Sequence, residues 1–179
     1  MSNTGTHSRT PYEKEHFIDT TKPVWNYSLL TDEDVSNFQN GTHYSLYEQF
    51  GSHALELEGK TGIYFCVWAP NATEVSVKGN FNNWVNGEYV LFPRWDKSGI
   101  WEGFIPGLAY GEMYKYHITG FAGRELDKGD PLGYYWEKRP QTATIAWDLF
   151  YEWNDEVWMK ERKKHNALDA PWSVYEMHL

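Results

Sequence analysis

The stretch that decides the fold runs Gly62-Ile63-Tyr64-Phe65-Cys66-Val67-Trp68-Ala69-Pro70-Asn71-Ala72, then Val75-Ser76-Val77-Lys78-Gly79 and Asn80-Phe81-Asn82-Asn83-Trp84. From Gly62 the side chains alternate with a period of two. Ile63, Phe65 and Val67 fall on one side and Tyr64, Cys66 and Trp68 on the other, which is the pattern of a strand. Pro70-Asn71 supplies a turn, and a second strand is expected over residues 74–78.

Outward from this pair, strands are expected at 88–92, 100–105, 113–119 and 142–147. Asp96-Lys97-Ser98-Gly99 and Pro106-Gly107 separate some of them. Short strands at this spacing predict a mainly β protein, an antiparallel sandwich of immunoglobulin-like type. In the strand from Met113, Tyr114, Tyr116 and Ile118 share one face while Met113, Lys115 and His117 share the other. With the tyrosines inward, Lys115 points outward.

The flanks read differently. Residues 1–24 are polar and carry no period, as a terminal tail does. Residues 25–60 read as a short helical segment: Thr31 can cap a helix, Asp32, Glu33 and Asp34 suit its positive end, Leu30 can staple to Val35, and Gly41 can end it. Ser45 and Glu48 repeat the capping-box spacing. The sandwich is assigned to 61–148. In 149–172, Asn154-Asp155-Glu156 starts a helix within a linker. Residues 173–179 read as a linker turning into a strand that the chain does not complete.

Composition narrows the function classes. Of 179 residues, 18% are aromatic, with ten Trp and thirteen Tyr, in a chain of polar mean hydropathy, so some rings must remain partly uncovered. A net charge of −9 with 16 basic residues argues against a nucleic-acid binder, because phosphate contacts need a positive surface. No run is long and apolar enough for a membrane span, and residues 1–9 have no apolar core of signal-peptide length, which makes the cytoplasm the expected location. Cys66 is the one cysteine, so no intrachain disulfide or thiolate cluster is expected, and its place in a strand predicts a buried, inert thiol. No cofactor or metal is expected.

Trp84, Asn82, Asn83 and Lys115 combine a flat apolar ring with donors and acceptors. That is what a polyhydroxylated sugar ring requires, with its C–H faces and polar edges. Each also has a plain structural reading, Trp84 as a cover for the sandwich edge and Lys115 as a surface lysine sheltering its stem. Trp95, beside the 96–99 turn, is a further candidate for widening an aromatic platform or covering the hairpin. Trp101, inside a strand, is expected in the core.

Several blocks in order resemble the amino-terminal part of the 1,4-α-glucan branching enzymes of the α-amylase superfamily. They are Leu29-Leu30-Thr31-Asp32-Glu33-Asp34, Leu46-Tyr47-Glu48-Gln49-Phe50-Gly51-Ser52-His53, Val67-Trp68-Ala69-Pro70-Asn71-Ala72, Gly79-Asn80-Phe81-Asn82-Asn83-Trp84, Tyr114-Lys115-Tyr116 and Asp130-Pro131. Arg139-Pro140, Tyr151-Glu152-Trp153 and the closing Ser173-Val174-Tyr175-Glu176-Met177-His178-Leu179 extend the resemblance over roughly residues 25–179. The sandwich motifs alone also look like those of debranching enzymes and glycogen-sensing kinase subunits. The closing segment is similar to the first strand of a (β/α)8 catalytic barrel.

The resemblance implies a glycogen-binding-type sandwich placed before a barrel that cleaves α-1,4 bonds and transfers the chain to a 6-hydroxyl, retaining carboxylate chemistry with a sugar in place of water. It implies carbohydrate-binding roles for Trp84 and Lys115 and a polar contact from Thr142; Trp95 stays a candidate. The catalytic carboxylates of that superfamily lie on later barrel strands, so no catalytic residue is expected here and the chain alone is expected to be inactive. The acidic groups Glu125, Asp127 and Asp130, and Asp148, Glu152, Asp155 and Glu156, read as loops and helix starts. The expected partners are an α-1,4-glucan polymer and the chain's own barrel, with no nucleic acid or membrane. Two further readings stay open: a module that packs on a barrel without binding sugar, and a regulatory glycogen sensor. Where the sensing type places a second platform tryptophan, residues 119–128 have none.

Overall fold

A computed structural model describes residues 18–165 and 167–178. The chain divides into two compact units at Asp148/Leu149. The first is a β-sandwich.

One sheet has four strands in the order β1 (Gly51–Leu57), β2 (Lys60–Trp68), β6 (Ile100–Pro106) and β5 (Phe92–Pro93). The other has six. Its order is β4 (Tyr89–Val90), β3 (Ala72–Gly79), β7 (Met113–Gly120), β10 (Thr144–Ile145) and β9 (Tyr135–Trp136), with β8 (Glu125–Lys128) also paired to β7. The paired strands within both sheets run antiparallel.

The alternation of β2 becomes two separate cores. Ile63, Phe65 and Val67 pack between the sheets with Val75, Val77, Leu91, Trp101, Ile105, Tyr114, Tyr116 and Ala146. Tyr64 and Cys66 point the other way, onto Trp25, Leu30, Val35, Phe50, Ile100 and Phe104. The outer face of the four-stranded sheet is therefore covered by residues N-terminal to it. Trp25 exchanges backbone hydrogen bonds with Phe104 at 2.7 and 2.9 Å. Helix α1 (Asp32–Asn40) brings Val35 onto this layer.

The ends of α1 follow the sequence. Thr31 Oγ1 accepts from Asp34 N–H at 3.2 Å, and the Asp34 carboxylate accepts from Thr31 N–H at 2.8 Å. Gly41 closes the helix at a φ of +70°.

Other local signals were overridden. Ser45 makes no capping hydrogen bond, and the turn Leu46–Glu48 is a single 3-10 turn. Residues 51–57, read as part of a helical segment, form β1, because Gly51 to Leu57 pairs residue by residue with Cys66 to Lys60 of β2. The single strand expected at 88–92 is split between sheets. Tyr89–Val90 pairs with β3, Phe92–Pro93 pairs with β6, and Leu91 crosses between them with its N–H on Val75 O at 2.8 Å.

Buried charge ties the covering layer down. Ser28, Tyr64, Arg94 and Glu102 meet beneath the N-terminal segment: Arg94 Nη1 donates to Glu102 Oε1 at 2.7 Å, and Ser28 and Tyr64 hydroxyls donate to Glu102 Oε2 at 2.8 and 2.6 Å. Both charged side chains are almost wholly buried. Cys66 lies beside them, and burial pushes its thiol well above the usual range.

The second unit contains helix α2 (Glu156–His165), within the stretch expected to hold one. Residues 173–178 form no strand, contrary to expectation. A strand is held by a hydrogen-bonded neighbour, and no described strand pairs with these residues.

Removing one member of the buried ion pair strands the other charge. Arg94→Ala is expected to lower the unfolding free energy by about 3–5 kcal/mol, whereas the double replacement Arg94→Met with Glu102→Leu loses much less. Urea titration of both variants measures the difference.

Candidate functional site

The outer face of the six-stranded sheet carries the polar residues that the sequence singles out. Its geometry starts from β7. Tyr114 and Tyr116 are fully buried, and both hydroxyls donate to the same Asp130 carboxylate oxygen, at 2.7 and 3.0 Å. The other Asp130 oxygen accepts Leu132 N–H at 2.9 Å, and Asp130 N–H donates to Thr144 Oγ1 at 2.8 Å. Burial pushes the Asp130 carboxyl above the usual carboxylate range, against the pull of these donors. With the two tyrosines pinned inward, Lys115 between them has to face outward.

Lys115 Nζ donates to Thr142 Oγ1 at 2.8 Å. Two of the predicted site residues, distant in sequence, therefore touch. Across the sheet Lys115 is in register with Lys78, and Tyr114 with Gly79. Trp84 sits at this same end of β3, because its N–H donates to Gly79 O at 2.9 Å. The ring is partly exposed.

The turn that carries Trp84 is tightly specified. Asn82, expected as a sugar contact, is buried: its Oδ1 accepts Gly79 N–H at 2.9 Å and its Nδ2 donates to Val85 O at 3.0 Å. Its amide holds the loop in place. Asn83 and Trp84 follow at φ +50° and +63°, left-handed geometry that is uncommon for any residue but glycine and costs roughly 1–2 kcal/mol per residue. Asn83 is exposed.

Trp95 is not brought to this place. It is 64% exposed beside the β5–β6 turn of the other sheet, where Gly99 abuts Pro70. That turn lies near the Ala72 end of β3, while Trp84 is at the Gly79 end. Eight residues of strand separate the two ends by about 25 Å. Trp101 is buried, as expected.

Sequence reading missed the charged cluster beside Lys115. Lys78 Nζ donates to Asp127 Oδ2 at 2.7 Å and to Asn86 Oδ1 at 2.9 Å, and His117 Nδ1 lies 2.8 Å from Asp127 Oδ1. A small cleft of about 240 Å³ is lined by Asn86, His117, Glu125, Leu126 and Asp127. Burial works to raise the Asp127 carboxyl, but the hydrogen bonds and charges of Lys78 and His117 outweigh it and hold it below the usual range. The available signal was the shared outward face of Lys115 and His117. Lys78 is thus occupied by a carboxylate, while Lys115 donates to a neutral hydroxyl.

Residues 49–133 match carbohydrate-binding module 48, the isoamylase N-terminal domain. Over these residues the chain is similar to that module family. The module match takes in Trp84 and Lys115 and stops before Thr142 and β10. The chain is 48% identical over 151 residues to a 1,4-alpha-glucan branching enzyme GlgB of Thermosynechococcus vestitus, an alignment covering 84% of this chain and 20% of that protein. It is 43% identical over 176 residues to the GlgB of Trichormus variabilis, covering 98% of this chain and 22% of the relative. For the GlgB of Aquifex aeolicus the figures are 45% over 153 residues, 86% and 24%. The chain therefore spans about a fifth to a quarter of the length of these curated relatives.

Among solved structures, ligand-free PulA from Klebsiella pneumoniae is similar at 20% identity, with a TM-score of 0.44 over 56% of this chain and 10% of that one. The pullulanase from Bacillus acidopullulyticus is similar at 19% identity, also with a TM-score of 0.44, over 56% and 12%. Among the described residues no helix is long and apolar enough to cross a membrane.

Two outcomes are expected. Asn82→Ala leaves the buried Gly79 N–H without its acceptor and should cost about 1–3 kcal/mol, measurable by thermal unfolding. Asp127, with a folded pKa below its unfolded one, contributes stability that is present above about pH 4 and lost as pH falls through the folded value. Stability should therefore fall less steeply in acid for Asp127→Asn than for the parent chain, as followed by unfolding midpoints between pH 5 and pH 2.

Proposed function

We propose that the chain is the amino-terminal, α-glucan-binding part of a 1,4-α-glucan branching enzyme, which cleaves α-1,4 bonds and rejoins the chain at a 6-hydroxyl. The 43–48% identity to branching enzymes along most of the chain supports this reading. The chemistry of bond transfer belongs to a barrel beyond this segment. The sandwich has a different task, to hold polymer near it.

The observation that carries the binding role is the Lys115–Thr142 hydrogen bond on the outer sheet face, toward the Gly79 end of β3 where Trp84 sits on its rigid turn. The Trp84 ring offers an apolar plane to the C–H face of a glucose unit. Lys115 Nζ has further donor capacity for a sugar oxygen, and the Thr142 hydroxyl can both donate and accept. Trp95 belongs to no such grouping and has no part in this site. One platform supports affinity of about millimolar, some −4 kcal/mol. Tethering to a catalytic domain makes so weak a site useful, because it raises the local concentration of polymer.

Residues 149–172 serve as the connector and 173–179 as the first strand of the barrel. Phe150, Tyr151, Trp153, Trp172 and Tyr175 are mostly exposed and supply apolar surface for that docking. The protein acts on glycogen in the cytoplasm, without nucleic acid or membrane as partner.

Co-sedimentation of the 179-residue chain with glycogen tests the site. Trp84→Ala and Lys115→Ala should each reduce the binding constant roughly tenfold, about 1.4 kcal/mol. Unchanged retention of both folded variants would sink the proposal.

A further inference from the structure

A second aromatic feature, Tyr135 with Trp147, lies on the same sheet face. Tyr135 and Trp147 are 50% and 48% exposed, with ring centroids 5.3 Å apart and planes at 55°. Register fixes their direction. Thr144 in β10 and Ala146 just beyond it, where backbone pairing with residues 111 and 112 continues, are fully buried and so point to the core, which turns Ile145 and Trp147 outward. Tyr135 is directly opposite Ile145, and Ile145 is opposite Met113. Opposed residues in an antiparallel pair share a face, so Met113, Ile145, Tyr135 and Trp147 lie on the side that carries Lys115.

These residues make a continuous strip. Met113 is two positions along β7 from Lys115, and Ile145 and Met113 are only partly buried. From the Lys115 backbone to that of Tyr135 is two strand spacings across and two residues along, roughly 12 Å. Several linked sugar rings span that distance and one ring does not. The strip is apolar, half-exposed and bears no charge, while its near end holds the Lys115–Thr142 pair. A ligand continuous with that pair has to present apolar faces repeatedly along its length and polar groups at its edges, as a glucan chain does.

We propose that Tyr135 and Trp147 form a second subsite that extends the glucan site beyond Lys115 and Thr142, so that the sandwich selects chains of several linked rings over short ones. The inference rests on the glucan-binding reading above. Trp84 and Lys115 seat one part of the chain, and the Tyr135–Trp147 pair seats a later part.

Calorimetric or NMR titration with maltose and with maltoheptaose tests this. The parent chain should bind maltoheptaose at least roughly tenfold more tightly than maltose, since a linked second contact acts at high effective concentration. Trp147→Ala and Tyr135→Ala should each reduce that advantage to less than about threefold while leaving maltose affinity unchanged. Trp147→Phe, which retains a ring, should keep most of it and serves as the folded control. Lys115→Ala should weaken both ligands alike. Retention of the full chain-length advantage in both alanine variants overturns the second subsite and leaves the first intact. Absence of binding to either ligand by the parent chain overturns both readings together.

Discussion

The sandwich turns on one buried carboxylate. Asp130 takes both tyrosine hydroxyls of β7 on a single oxygen and a backbone N–H on the other, and its own N–H rests on Thr144 at β10. Four polar groups are thereby satisfied in a place water does not reach, where each would otherwise cost free energy. The arrangement also fixes the pleat of β7 and ties it to β10. Lys115 and Thr142 are neighbours because the strands beneath them are locked.

The two sheets are treated unequally. Trp25, Leu30, Val35 and Phe50 cover the outside of the four-stranded sheet, and the Arg94–Glu102 pair fastens that cover. Both faces of β2 are consequently buried, which is why it reads as nearly continuous apolar sequence. The six-stranded sheet has polar and half-exposed side chains on its outer face and is the one suited to a ligand. Rigid turns complete it: Asn82 holds Trp84 in a backbone conformation that the tryptophan itself disfavours, and an unusual geometry of this kind is more often found at working sites than elsewhere.

Much of this was legible in sequence where local pattern and tertiary pairing agree. The alternation of residues 62–68 and 113–119 gave strands whose inward faces are the observed core, and Thr31 with Gly41 marked both ends of a helix. β8 was missed because Glu125-Leu126-Asp127-Lys128 has little apolar content and exists through pairing with β7. β1 was hidden behind helix-like capping signals. Asn82 looked like a sugar contact since sequence shows an amide's chemistry but not which backbone groups it meets. Trp95 looked adjacent to the site for the converse reason: only the fold reveals that its hairpin lies at the far end of the sandwich. The structural role of Asp130 was not legible, although Asp130-Pro131 stood out as a motif, for its tyrosine partners are 14 and 16 residues away.

The pairing of Lys78 with Asp127 has a consequence for the proposed glucan site. One of the two cross-strand lysines on this face is neutralised internally, in a chain that as a whole carries −9. A polysaccharide without charge gains nothing from long-range steering. On the proposed glucan-binding reading, capture is left to short-range contact and shape, which mobile ions screen very little, and retention of the polymer is then insensitive to salt.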